Sequence, residues 1–181
     1  IEYSQDIKAT IGAMEALGTI IEQHEDYLII NGNYTFTKNN TMPGVQIDCE
    51  ESGSTLRFMV PISLAKENKV RFIGRRPLDT YYEIFERQNI GYLYRENVLD
   101  LNVVGELKPD LYRIPGNISS QFITGLLFAL PLLSFDSIIE ITTPLESKGY
   151  IDLTLQVLKL YGIEIVNHEY KQFIVRGRQE Y

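Results

Sequence analysis

Scarcity sets the first limits. The 181 residues contain one cysteine, Cys49, two histidines, His24 and His168, and no tryptophan. One thiol cannot close a disulfide within the chain, and so few thiols and imidazoles exclude a cysteine-rich or histidine-clustered metal site. Cys49 reads as a small apolar filler in a strand, with no base beside it in sequence to activate it. Apolar runs of the roughly 20 residues that a membrane span requires are missing, as is a basic-then-apolar leader, so the expectation is a cytoplasmic protein with no membrane partner. Positive charge is short as well: 17 lysines and arginines stand against 24 aspartates and glutamates, a net charge of −7. That balance argues against nucleic acid, which is held by clustered cations that neutralise phosphates. A small anion stays compatible, because the local field in a cleft matters more than the total charge.

What is present is the composition of a globular protein able to bury a core, 44% hydrophobic and 23% charged. Its most informative stretch is SSQFITGLLFALPLL, residues 119–133, which sets two hydroxyls and a carboxamide at the start of a long apolar helix. The first N–H groups of a helix have no internal partner and carry the positive end of its dipole, so Ser119, Ser120 and Gln121 could grip a phosphate or carboxylate. The same residues also read as an ordinary N-cap.

A plan recurs along the chain. A helix pattern from Asp6 to Leu17 is followed by short β-rich runs at 19–22 and 27–30; Asp79 opens a second helix ending near Gly91, followed by runs at 92–95 and 99–103. Asp152 opens a third ending at Gly162, with runs at 164–167 and 173–175. The three aspartates lie 73 residues apart, each from the next. The upstream halves of the last two also correspond: a strand at 45–48, a helix from Ser52 to about Leu64 and a strand at 70–73, then a strand at 111–114, the Ser119 helix and a strand at 137–141. The expectation is an α/β (α+β) fold of duplicated β-α-β-α-β-β units, with 1–34 the second half of a first unit, 45–105 a second and 110–177 a third. A chain that opens in the middle of a unit is expected to be a piece of a longer polypeptide, since a half unit leaves apolar faces uncovered.

ESGSTLRF, residues 51–58, forms the other helix mouth: Gly53 permits close approach to the backbone, Ser54 and Thr55 offer hydroxyls, and Arg57 sits one turn inside. Glycine here also reads as a turn residue and Arg57 as half of a surface ion pair. In GRRPLD, residues 74–79, Pro77 holds Arg76 extended and so fixes where its guanidinium fork points. The matching loop LESKGYID, residues 145–152, offers Ser147, Lys148 and Tyr150. Two mouths and two loops in equivalent places of adjacent units are expected to open on one end of the domain and form one anion site.

These residues, in this order, resemble the 5-enolpyruvylshikimate-3-phosphate synthase family. SSQFITGLLFALPL resembles its SSQF-x-(S/T)-ALL-x-AAPL signature, SKGYIDLTL its SKPYIDMTL element, and SGSTLRF and RRPL its NAGTxxR and RP elements. The resemblance runs along essentially the whole chain. It implies an enolpyruvyl transferase-like fold, half of an inside-out α/β barrel, with three β-α-β-α-β-β units about a pseudo-threefold axis. It also implies a parent polypeptide, monomeric, whose second domain closes the active site from the opposite side and whose opening segment carries a Lys-Ser pair and an arginine.

The activity implied is transfer of the carboxyvinyl group of phosphoenolpyruvate to the 5-hydroxyl of shikimate 3-phosphate, in aromatic amino acid biosynthesis, without metal or organic cofactor. By resemblance, Ser119, Ser120, Gln121, Ser147 and Tyr150 would hold shikimate 3-phosphate. Gly53, Arg76 and Gln121 would face phosphoenolpyruvate, and Arg57 would support the glycine motif. No complete catalytic set is expected in this chain, which is expected to be inactive alone. Three departures stand out: Glu51 where the family has asparagine, a GRRP segment without the longer arginine-lysine spacing, and Gly149 in place of proline, expected to loosen the loop that carries Ser147 and Tyr150. The alternative is a non-catalytic module that captures shikimate 3-phosphate, separable by calorimetric titration. A sister transferase acting on a UDP-sugar fits poorly, because it uses a cysteine-bearing loop and lacks SSQF.

Overall fold

A computed structural model describes residues 2–32, 44–65, 69–75, 80–95 and 99–181. The elements run α1 (Gln5–Ala16), β1 (Ile20–Gln23), β2 (Leu28–Asn31), β3 (Val45–Asp48), α2 (Gly53–Leu64), β4 (Lys69–Gly74), α3 (Tyr82–Gln88), β5 (Gly91–Tyr94) and β6 (Leu99–Val104). They continue with β7 (Leu111–Ile114), α4 (Ser120–Ala129), β8 (Ser137–Ile141), α5 (Lys148–Leu160), β9 (Ile165–His168) and β10 (Gln172–Val175).

Two four-stranded sheets have the orders β3-β4-β6-β5 and β7-β8-β10-β9. In each, the first two strands are parallel and joined through a helix, and the last two form a hairpin that adds antiparallel. The strands alternate as half-buried strands do: along β4, Val70 and Phe72 point into the core while Lys69 and Arg71 face out. A third sheet, two-stranded among the described residues, pairs β1 with β2, and its Ile20, Ile29 and Ile30 are exposed.

Helices α2 and α4 pack against one another as the centre of the core. Helix α4 is apolar nearly all round and almost wholly buried. At Gly125 a methyl group would come within 2.2 Å of the Arg57 carbonyl oxygen, so only glycine lets the two backbones meet there.

Several boundaries differ from expectation. Helix α5 starts at Lys148, four residues before Asp152, and α3 is described from Tyr82, its expected start Asp79 lying outside the described residues. The 73-residue spacing therefore relates aspartates and does not mark equivalent helix starts. The second helix stops at Asn89, which adopts the left-handed conformation at φ 55°, and Gly91 instead opens β5; a short polar asparagine tolerates that geometry. Gly149 lies inside the first turn of α5, so it does not loosen a loop. Cys49 follows β3 by one residue rather than lying within it.

Candidate functional site

Parallel strands place their C-terminal ends side by side, and the loops leaving them run to helix N-termini, the usual ligand-facing edge of an α/β sheet. Here both pairs of loops are stitched together. After β3 and β4, the Cys49 N–H donates to the Ile73 carbonyl at 2.8 Å and the Arg75 N–H to the Glu50 carbonyl at 2.9 Å. After β7 and β8, Thr142 N–H donates to the Ile114 carbonyl at 3.0 Å and Glu146 N–H to the Gly116 carbonyl at 3.0 Å. The Thr143 hydroxyl accepts from the N–H groups of Gly116 and Asn117 at 2.9 and 3.2 Å and donates to Asn117 Oδ1 at 2.8 Å. A Cβ on Gly116 would lie 2.8 Å from the Thr143 carbonyl oxygen, so glycine is what allows this close crossing. The loop before Ser119 and the loop before Ser147 are thereby one structure.

The two helix mouths meet through side chains. Arg57 Nη1 donates to Gln121 Oε1 at 2.5 Å, and its guanidinium lies 4.9 Å above the Phe122 ring, so the cation is aimed at the α4 mouth. Accepting through Oε1 leaves the Gln121 amide nitrogen as the donating end of that side chain. Ser119 caps α4, its hydroxyl accepting from the Gln121 N–H at 3.3 Å, and Ser120 is buried at 8% exposure. Gly53 begins α2 one turn before Arg57, behind the Ser52 cap. The Ser52 hydroxyl is tied to Ser54 at 3.1 Å and Thr55 at 2.8 Å, and Thr55 reaches Thr10 of α1 at 2.8 Å. Those hydroxyls are spent on packing the mouth of α2.

The third contribution comes from α5. Ser147 takes a left-handed backbone, φ 56° and ψ 38°, with no capping bond from its side chain. A non-glycine residue held there costs of order 1 kcal/mol and persists only where its surroundings impose it. Tyr150 is 68% exposed, and its carbonyl accepts from Thr154, whose hydroxyl meets Thr124 of α4 at 3.1 Å. Lys148 Nζ sits 5.0 Å over the Tyr170 ring, and Tyr170 donates to Asp152 at 2.7 Å.

Glu51 lies beside Arg75, whose Nη1 is 2.6 Å from its carboxylate, so the charge that departs from the family pattern is matched by the neighbouring arginine. A cavity of about 620 Å³ borders it, lined among the described residues by four carboxylates (Asp48, Glu50, Glu51, Asp100) and two guanidiniums. One of those, Arg71, is clamped on Asp100 at 2.7 and 3.0 Å; its hydrogen bonds and charge hold the Asp100 carboxyl below the ordinary range. Burial, then the nearby Asp48, pushes the Cys49 thiol up to about 12, which keeps it an unreactive thiol. Arg76 lies outside the described residues.

Sequence reasoning missed Tyr81, Thr143 and the Phe122 ring beneath Arg57. Tyr81 and Thr143 lie in no motif, and Phe122, though it closes SSQF, gives no sign of the arginine above it; Gly125, a lone glycine inside an apolar helix, was the available sign of a tight crossing. The assembled groups are hydroxyls, amide N–H groups, a carboxamide and an arginine, donors of the chemistry that binding an anion requires.

The family model described as EPSP synthase (3-phosphoshikimate 1-carboxyvinyltransferase) matches residues 3–181. A 3-phosphoshikimate 1-carboxyvinyltransferase of Clostridioides difficile (strain 630) is 59% identical over 192 aligned residues, covering all of this chain and 44% of that protein. One from Clostridium perfringens (strain SM101 / Type A) is 56% identical, covering all of this chain and 43% of that protein. The solved EPSP synthase of Acinetobacter baumannii has a TM-score of 0.77 over 98% of this chain and 40% of its own, at 16% identity, a likeness of fold. The chain spans less than half the length of these relatives.

Proposed function

The chain belongs to the EPSP synthase (3-phosphoshikimate 1-carboxyvinyltransferase) family, and from that premise we propose that it forms one wall of an enolpyruvyl transferase active site. The reaction moves the carboxyvinyl group of phosphoenolpyruvate to the 5-hydroxyl of shikimate 3-phosphate. The 5-hydroxyl oxygen bonds to C2 of phosphoenolpyruvate as it gives up its proton and C3 gains one, giving a tetrahedral intermediate; C3 then loses a proton, the C2–C3 double bond re-forms, and the C–O bond to phosphate breaks to release inorganic phosphate. In this reading Ser119, Ser120, Gln121, Ser147 and Tyr150 hold shikimate 3-phosphate, while Gly53, Gln121 and Arg76 face phosphoenolpyruvate. Arg57 orients Gln121. The units 1–34, 45–105 and 110–177, a cytoplasmic location and a second domain bringing the proton-transfer groups complete the proposal.

The observation that carries it is the 2.5 Å bond from Arg57 to Gln121, which joins the glycine motif to the SSQ mouth. Two polyanions repel, and donors fixed in advance offset that repulsion and set the attack geometry. A phosphate-release assay with both substrates tests it. Full-length protein should turn over, the 181-residue chain alone should not, and Gln121→Ala in the full-length protein should lower kcat/KM about a hundredfold. Undiminished turnover by Gln121→Ala, or turnover by the isolated chain, would refute this division of the site.

A further inference from the structure

We propose that Tyr81, a residue of no recognised motif, is the positioning residue that holds the Arg57–Gln121 pair in place; the proposal rests on the reading of the anion site given above. Pro61 lies inside α2, and a proline has no N–H to give to the carbonyl four residues back. That carbonyl belongs to Arg57. It is also deep in the crossing of α2 and α4, where water cannot serve it and an unmet acceptor is costly.

Tyr81 fills the gap. Its hydroxyl lies 2.9 Å from the Arg57 carbonyl oxygen and 2.9 Å from the Phe122 carbonyl oxygen. One proton therefore serves two acceptors, one on α2 at the arginine of the site and one on α4 beside Gln121. The ring is buried at 1% exposure and packs edge-on to Phe122 at 5.0 Å, the same ring that lies beneath the Arg57 guanidinium. Burial raises the phenol well above its usual value, so it stays a donor across the physiological range. Gly125 leaves the necessary room, since a Cβ there would stand 2.6 Å from the Tyr81 oxygen. Tyr81 thus spans the two helices at the level where their side chains meet, and fixes Arg57 relative to Gln121 without touching a substrate.

Two roles must be separated: filling a stranded acceptor, which is structural, and bridging two helices, which positions the site. Pro61→Ala separates them, because alanine returns an N–H to the Arg57 carbonyl but restores no link to Phe122. In full-length protein, Tyr81→Phe should raise the KM of both anionic substrates about fivefold with kcat within about twofold of wild type, the scale of one lost hydrogen bond. In the Pro61→Ala/Tyr81→Phe double variant, the unfolding midpoint should return to that of Pro61→Ala alone while the raised KM persists. A KM that recovers together with stability, or that never rises in Tyr81→Phe, overturns the proposal.

A readout independent of activity uses the 181-residue chain: the Arg57 guanidinium N–H signals in NMR should exchange with water about tenfold faster in Tyr81→Phe. Unchanged exchange overturns the proposal. Faster exchange in Tyr81→Phe, with wild-type full-length protein that releases no phosphate, upholds the positioning role and refutes the functional reading.

Discussion

The sheet β3-β4-β6-β5 and the sheet β7-β8-β10-β9 have the same strand order and the same parallel and antiparallel pairings, yet their helix mouths have diverged. In the first, Ser52, Ser54 and Thr55 bind one another and Thr10, so the mouth of α2 is closed upon itself and its cation, Arg57, reaches across to the other unit. In the second, α4 presents Ser119, Ser120 and Gln121, and the loop before α5 is pinned to it through Thr143. Topology is kept by burial of alternating strand faces, which tolerates many sequences. The mouths are free to specialise because their polar groups lie outside that pattern.

The seam between the two units offers the sharpest way to break this comparison. Gly125→Ala would drive a methyl to 2.2 Å from the Arg57 backbone oxygen, and overpacking a core against backbone should cost about 3 kcal/mol. A denaturant titration would detect it, and a loss below about 1 kcal/mol would show that the helices are not locked as described.

The sheets also differ in how their outer faces hold charge. Arg71 clamps Asp100 with two bonds, whereas Arg113 and Glu140 make a single exposed contact at 2.8 Å. Because Asp100 is held below the ordinary carboxylate value, the folded state binds fewer protons there than the unfolded state. Its contribution is present above the ordinary pKa of about 4 and is lost as pH falls through the lowered value. Asp100→Asn should therefore remove part of the acid dependence of the unfolding free energy, read from denaturant titrations at a series of pH values. The smallest effect concerns α5: a Cβ on Gly149 meets nothing within 4 Å, so Gly149→Ala should stabilise the chain by about 0.5 kcal/mol, visible as a small rise in the unfolding midpoint.

Much of the fold was legible in the sequence because strands and helices are local patterns. The runs expected at 45–48, 111–114 and 137–141 coincide with β3, β7 and β8. The first turn of α5 was missed because Ser147, Lys148 and Gly149 are turn-forming types, and a left-handed serine launched the helix earlier than their composition suggests. At the site, the motifs pointed to Gln121 and Arg57 separately. Their 2.5 Å contact depends on how two helices cross, a non-local fact that no spacing encodes. Tyr81 was invisible for the same reason, although Pro61 inside an otherwise good helix marks where a carbonyl needs a partner from elsewhere.

The β1–β2 hairpin carries one further consequence. In each larger sheet the corresponding hairpin adds to two more strands, while β2 pairs only with β1 among the described residues and exposes isoleucines on that small sheet. Clustered exposed isoleucines form an apolar patch of the kind that draws molecules together. Concentrated solutions of the 181-residue chain should then self-associate, and a charged residue in place of Ile29 or Ile30 would improve its solubility.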